Sequence, residues 1–184
     1  MLRWLARVVL KLLGWKLIDL PTRPARAVVI AYPHTSNWDF PMALLGLAAL
    51  SLDIRWVGKD TLFAGWRGPI MRFLGGVPVN RRERTGFVSR VAEEIARHER
   101  FHLAIAPEGT RSLTEGWKSG FYRIARAGST PVILATVDYP RRELGLITCL
   151  ELSGDEPVDM ARIAAAYQGR VGKRAQLASP IRLL

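Results

Sequence analysis

Cysteine is nearly missing from this chain of 184 residues: Cys149 stands alone, so no disulfide can form within it. None is needed, because a chain of this length buries roughly 70% of its unfolded surface in one ordinary domain. A single thiol also fits a reducing, cytoplasmic setting. Acidic residues are few beside basic ones, 16 against 27, for a net charge of +11. That imbalance does not select a fold. It points to an anionic partner: nucleic acid, an acidic lipid surface or a phosphorylated small molecule. Long apolar runs are missing too. A spanning helix needs about 18 apolar residues or more. The stretch Phe40–Leu52 falls short of that, and the N-terminal stretch is broken by Arg3, Arg7, Lys11 and Lys16. No small-x-small cleavage site follows the latter, which argues against a signal peptide. G-x-S-x-G, G-x-x-x-x-G-K-[ST] and G-x-G-x-x-G do not occur, so the serine-hydrolase elbow and the common nucleotide cradles have no support.

What is present alternates. Hydrophobic residues make up 49% of the chain and charged ones 23%, a balance that excludes disorder. In residues 1–20, Arg3, Arg7 and Lys11 recur every four positions and share a side. Leu5, Val8, Val9, Leu12 and Leu13 form the opposite stripe, with Trp4 and Trp15 near its edges. Such a helix suits a bilayer interface, although it could also pack on its own core. Pro21 and Pro24 are expected to end it and to start a linker, dividing an amphipathic segment 1–24 from a domain 25–184.

Continuous apolar runs predict buried strands at 27–32, 101–106 and 131–137, with shorter strands at 54–57, 77–79 and 144–152. Helical patterns fall at 36–51, 62–74, 85–100, 119–127 and 158–167. The expected fold is α/β: a single layered domain with a mostly parallel central sheet flanked by helices.

Ligands of such sheets bind beyond the carboxyl ends of the strands. Three polar clusters fall there: His34-Thr35-Ser36-Asn37-Trp38-Asp39, Gly75 to Arg81, and Pro107-Glu108-Gly109-Thr110-Arg111-Ser112. Residues five apart on one helix stand about 140° apart and do not face each other. If His34 lies in the loop and Asp39 in the first helical turn, the carboxylate reaches back to the imidazole. It then sets the tautomer and leaves the other ring nitrogen free to take a proton from a hydroxyl. Ser36-x-x-Asp39 also reads as a capping box, in which Asp39 only starts the helix. Backbone N–H groups of the turn at Gly109, with Thr110 and Arg111, would cradle a phosphate; a plain surface turn is the alternative.

The ordered set His34-x4-Asp39, then the glycines and Arg81, then Pro107-Glu108-Gly109-Thr110-Arg111, then the strand led by Pro131, resembles the glycerolipid acyltransferases, the family of 1-acyl-glycerol-3-phosphate acyltransferases. The resemblance spans about Val28 to Asp138. Pro33 and Ala106 depart from the family's usual Asn and Phe at those places. The resemblance implies that His34 is a general base oriented by Asp39. It also implies that Arg81, Glu108, Gly109, Thr110 and Arg111 bind the acceptor's glycerol phosphate, with Pro131 in the fourth block. The acceptor hydroxyl would attack the thioester of acyl-CoA or acyl-carrier protein directly. No cofactor or metal is implied. The expected partners are the thioester donor, a lysophospholipid acceptor and a membrane surface met through residues 1–20, at the cytoplasmic face of the cell membrane. A different lysolipid or hydroxylated lipid acceptor remains an alternative.

His98-Glu99-Arg100-Phe101-His102 spells H-E-x-x-H, but Phe101 and His102 open a strand. The two imidazoles would straddle a helix–strand junction, so no zinc site is expected, and both are expected at the solvent or an edge. Two other readings are a basic nucleic-acid-binding protein and an inactive membrane-surface protein. The scattered arginines match no nucleic-acid motif, and no nucleic-acid partner is expected.

Overall fold

The apolar run near the start of the domain forms β2 (Arg26–Ala31), the middle strand of a seven-stranded sheet in the computed structural model, which describes residues 1–79 and 86–184. Both faces of β2 are covered, which is why Ala27, Val28, Val29 and Ile30 are all apolar and all buried. Its neighbours are β5 (Phe101–Ile105) and β6 (Val132–Asp138), both parallel to it. Beyond β5 lie β3 (Arg55–Lys59) and β4 (Gly76–Val79), again parallel.

Successive side chains of a strand point to opposite faces. On one face Val28, Ile30, Leu103, Val132 and Leu134 meet Ile95 of α4 (Phe87–Arg97), Phe121 and Ile124 of α5 (Gly120–Ala127), and Ile163 of α6 (Glu156–Ala166). On the other face Ala27, Val29 and Ile133 meet Leu50 of α2 (Asp39–Leu50). A 3-10 turn at Asp60–Phe63 and α3 (Arg67–Phe73) lie on this second face, where Trp56 packs on both Phe40 of α2 and Phe63.

The sheet is mostly parallel as expected, while the boundaries expected near residues 1–24 change. The N-terminal helix α1 (Leu2–Leu12) stops well before Pro21. Gly14 takes a left-handed φ of +73°, its N–H donates to the Lys11 carbonyl, and the Trp15 N–H donates to the Leu10 carbonyl. This pair of bonds is the Schellman ending, which glycine at the left-handed position permits. The chain then forms β1 (Lys16–Ile18), an edge strand of the same sheet, so residues before the 21–24 linker are built into the sheet. Helix α1 buries Ala6 and Leu10 against Met42, Ala49 and Leu144, and the Arg7 Nε donates to the Ala49 carbonyl at 2.9 Å. Its seam is therefore narrow, and Leu2, Trp4, Leu5, Leu12 and Leu13 stay exposed. At the other side of the parallel majority, β7 (Glu143–Leu150) runs antiparallel to β6. The four residues between them, 139–142, are too few for a parallel crossover, which takes a dozen or more.

After α6 the chain returns across the carboxyl ends of the parallel strands. The Tyr139 N–H donates to the Val171 carbonyl, and the Arg174 N–H donates to Thr35 Oγ1 at 3.2 Å. The tail lies close: a Cβ on Gly172 would come within 2.5 Å of Thr35 Oγ1. The basic residues of this tail are partly engaged, since Arg170 pairs with Glu143 at 2.6 Å and Lys173 sits 4.9 Å from the Trp38 ring centre.

Candidate active site

Strands β2, β3, β5 and β6 deliver their following loops to one edge of the sheet, as a parallel arrangement must. His34 follows β2 in a loop, and α2 begins at Asp39. The condition under which a spacing of five brings the two side chains together is thus met: His34 Nδ1 lies 3.4 Å from Asp39 Oδ2. The same oxygen accepts the Thr35 and Ser36 N–H groups, each at 2.8 Å, while Oδ1 accepts the Tyr139 hydroxyl at 2.8 Å. One carboxylate thus both accepts backbone N–H groups just before α2 and lies beside the imidazole. Its bond from the Ser36 N–H ties the preceding loop to the helix start, in the manner of one half of a capping box, and its remaining reach is toward the ring.

Burial alone would raise the Asp39 pKa. The bonds from His34, the Ser36 N–H and Tyr139 outweigh it and hold the carboxyl below its ordinary range. Tyr139 is driven the other way, well above the ordinary phenol, first by burial and then by its bond to Asp39. A group with a lowered acid pKa stabilises the fold above its unfolded value and loses that contribution as pH falls through the folded value. An NMR titration of the Asp39 carboxyl carbon is therefore expected to show a midpoint below 3.8, with the Thr35 and Ser36 amide signals moving in the same step. A midpoint above 3.8 would mean that these bonds do not hold in solution.

Glu108 lies apart from the cavity lining. The resemblance puts it on the phosphate of an acceptor, yet it is buried and does not line the cavity at this edge. Oε2 accepts the His34 N–H at 2.6 Å and Oε1 accepts the Ser179 N–H at 2.8 Å. Burial pushes its carboxyl above the ordinary range in spite of these bonds. Glu108 clamps the His34 loop to the C-terminal tail. Gly109 turns the chain there with φ +67°, and its N–H donates to the Ala106 carbonyl. Thr110 and Arg111 are exposed and line the cavity with His34 and Gly109. Among the described residues no carboxylate pairs with Arg111. Arg81 lies outside the described residues. Pro131 stands at the amino end of β6, where its carbonyl accepts the Val28 N–H, and so lies at the opposite edge of the sheet from His34.

The cavity encloses about 580 Å³. Its polar end carries His34, Asn37, Lys59, Thr61, Thr110 and Arg111. From there it runs between α2 and the sheet past Val29, Leu47, Leu50, Ile54, Ala104 and Leu146. Lys59 and Tyr139 escaped the sequence reading. Lys59 ends a strand and so had the positional signal, whereas Tyr139 meets Asp39 from 100 residues away, with no local pattern to mark it.

The two other histidines belong to different elements, His98 at the end of α4 and His102 in β5. His98 is exposed just after α4. His102, expected at the solvent or an edge, stands in β5, an inner strand. It is partly buried, with Nε2 2.9 Å from the Pro24 carbonyl, and burial lowers its pKa. Among the described residues no cluster of His, Cys, Asp or Glu could hold a metal ion.

A family model described as Acyltransferase matches residues 18–137, more than half of the chain. The chain belongs to the acyltransferase family. The fold of this acyltransferase is similar to the crystal structure of PlsC, the 1-acyl-sn-glycerophosphate (LPA) acyltransferase from Thermotoga maritima, with a TM-score of 0.59. The match covers 91% of this chain and 76% of that one at 17% sequence identity, a likeness of fold. A search of curated proteins found no match.

Proposed function

We propose that this acyltransferase moves a fatty acyl group from acyl-CoA or acyl-carrier protein to the free hydroxyl of a lysophospholipid, 1-acyl-glycerol-3-phosphate, giving phosphatidate in phospholipid synthesis. The observation that carries this reading is a single cavity with a carboxylate-flanked imidazole at its polar end, beside a guanidinium that no carboxylate among the described residues meets, and an apolar interior behind them. An acyl chain in such an interior contributes about 0.8 kcal/mol for each buried CH₂.

His34 is the proposed base. Asp39 accepts at Nδ1, so Nε2 presents its lone pair to the acceptor hydroxyl. As the hydroxyl oxygen bonds to the thioester carbonyl carbon, its proton passes to Nε2. The carbon–sulfur bond then breaks, and the thiolate leaves and is protonated. Asp39 balances the imidazolium that forms between these steps. Arg111, Thr110 and Lys59 supply charge and hydroxyl for the acceptor's phosphate, and Gly109 lets the turn approach it. Glu108 acts by positioning.

We also propose a peripheral site of action at the cytoplasmic face of the cell membrane, reached through α1. Helix α1 leaves Trp4, Leu5, Leu12 and Leu13 bare beside Arg3 and Lys11, and no helix among the described residues is long and apolar enough to cross a bilayer.

The test is thiol release from palmitoyl-CoA, and from acyl-carrier protein, with a panel of lysolipids, the products read by mass spectrometry. Phosphatidate from 1-acyl-glycerol-3-phosphate is the expected result, and Arg111→Ala is expected to raise the acceptor KM by about 10- to 100-fold, as loss of a charge-assisted pair should. A product from another lysolipid alone would reassign the acceptor. No thiol release with any of them would overturn the reading.

A further inference from the structure

Helix α3 leaves its outer side bare. Trp66, Ile70 and Phe73 are spaced four and three apart and therefore share that side. They are 76%, 45% and 90% exposed, and Leu62 of the preceding turn is 38% exposed. Monomeric surfaces scatter single apolar residues, but a rimmed group of large ones marks an interaction site. The group stands on a firm base. Gly68 is buried so close to the Phe63 carbonyl that a Cβ there would come within 2.4 Å of it, and Trp56 Nε1 donates to the Leu74 carbonyl at 2.8 Å.

The rim is basic. The Arg67 guanidinium lies 5.8 Å from the Trp66 ring centre, and that of Arg72 5.6 Å from the Phe63 ring centre. Neither meets a carboxylate among the described residues. Aromatic and aliphatic side chains bordered by arginines match the interface of an anionic leaflet, where the rings enter the headgroup boundary and the cations stay in the headgroups. A second copy is a poor occupant, since two chains of +11 repel each other. Moreover, α3 covers the same face of the sheet as α1 and α2, and the cavity is lined from both α2 and the 60–71 region.

We propose that α3 is a second membrane-docking edge, which seats Trp66, Ile70 and Phe73 in an anionic bilayer so that the chain meets the membrane on both sides of α2. This rests on the reading of the substrate as a lipid and adds how the cavity meets its supply.

The test uses the full chain and vesicles of phosphatidylcholine with phosphatidylglycerol. An environment-sensitive dye on Phe73→Cys, in a Cys149→Ala background, is expected to shift to the blue on binding, whereas the dye on Glu93→Cys of α4, on the opposite face, is expected to stay unshifted. The pair Trp66→Ser and Phe73→Ser is expected to weaken partitioning at least about tenfold. Turnover of detergent-dispersed acceptor is expected to be unchanged, which checks that the variant folds. Three results would each overturn the proposal: an unshifted dye at position 73 on vesicle-bound protein, unchanged partitioning of the double variant, or a dimer in solution that the double variant dissolves. Vesicle binding is read without turnover. Loss of thiol release with binding intact would therefore strike the acyl-transfer reading and leave the docking edge standing.

Discussion

Replacing His34 with alanine is expected to lower kcat for acyl transfer by about 10²- to 10⁴-fold, the usual worth of a positioned general base, with little change in the acceptor KM. In barrier height this is roughly 3–5 kcal/mol. The remainder of the acceleration comes from holding thioester and hydroxyl together in one cavity, which the substitution leaves in place. The fold should be indifferent to the change. The imidazole is about one-fifth exposed, and the Asp39 carboxylate keeps its bonds from Thr35, Ser36 and Tyr139 without it. Equal turnover by wild type and His34→Ala, measured as thiol release, would remove the imidazole from the chemistry and with it the proposed mechanism.

Glu108→Ala is expected to act on a different quantity. Its two oxygens are spent on the N–H groups of His34 and Ser179. Deleting them strands two buried donors, each costing about 1–3 kcal/mol. For a domain of this size each kcal/mol lowers Tm by about 2–4 °C. A Tm fall of about 5–20 °C in a circular-dichroism melt is therefore expected, with a smaller fall for Glu108→Gln, whose amide oxygen still accepts one N–H. If Glu108 served the acceptor's phosphate instead, Tm would stay put and KM alone would rise. The same pair of measurements separates the two roles.

How far the sequence could be read depends on the range over which each signal acts. The buried run at β2 and the helical spacing of Phe87, Val88, Val91 and Ile95 are local, and both elements stand where their patterns put them. The approach of His34 to Asp39 was legible for the same reason, since one loop and one helical turn settle it. Two local signals were passed over: Gly14 as a helix ending, and the four-residue link that turns β7 against β6. The role of Glu108 had no local trace. In the sequence it sits in a turn beside an arginine and reads as a surface charge. Its partners lie 74 residues before it and 71 after it. The Tyr139 hydroxyl is hidden in the same way, because only the folded chain brings the end of β6 over the start of α2.

The tail that returns over the carboxyl edge sets an order of assembly. Every signature residue from His34 to Arg111 is synthesised before Ser179, yet the Glu108 clamp is half made until Ser179 arrives. A nascent chain thus carries the whole reactive vocabulary in an unfastened corner, and a segment translated 71 residues after Glu108 is the latch that fastens it.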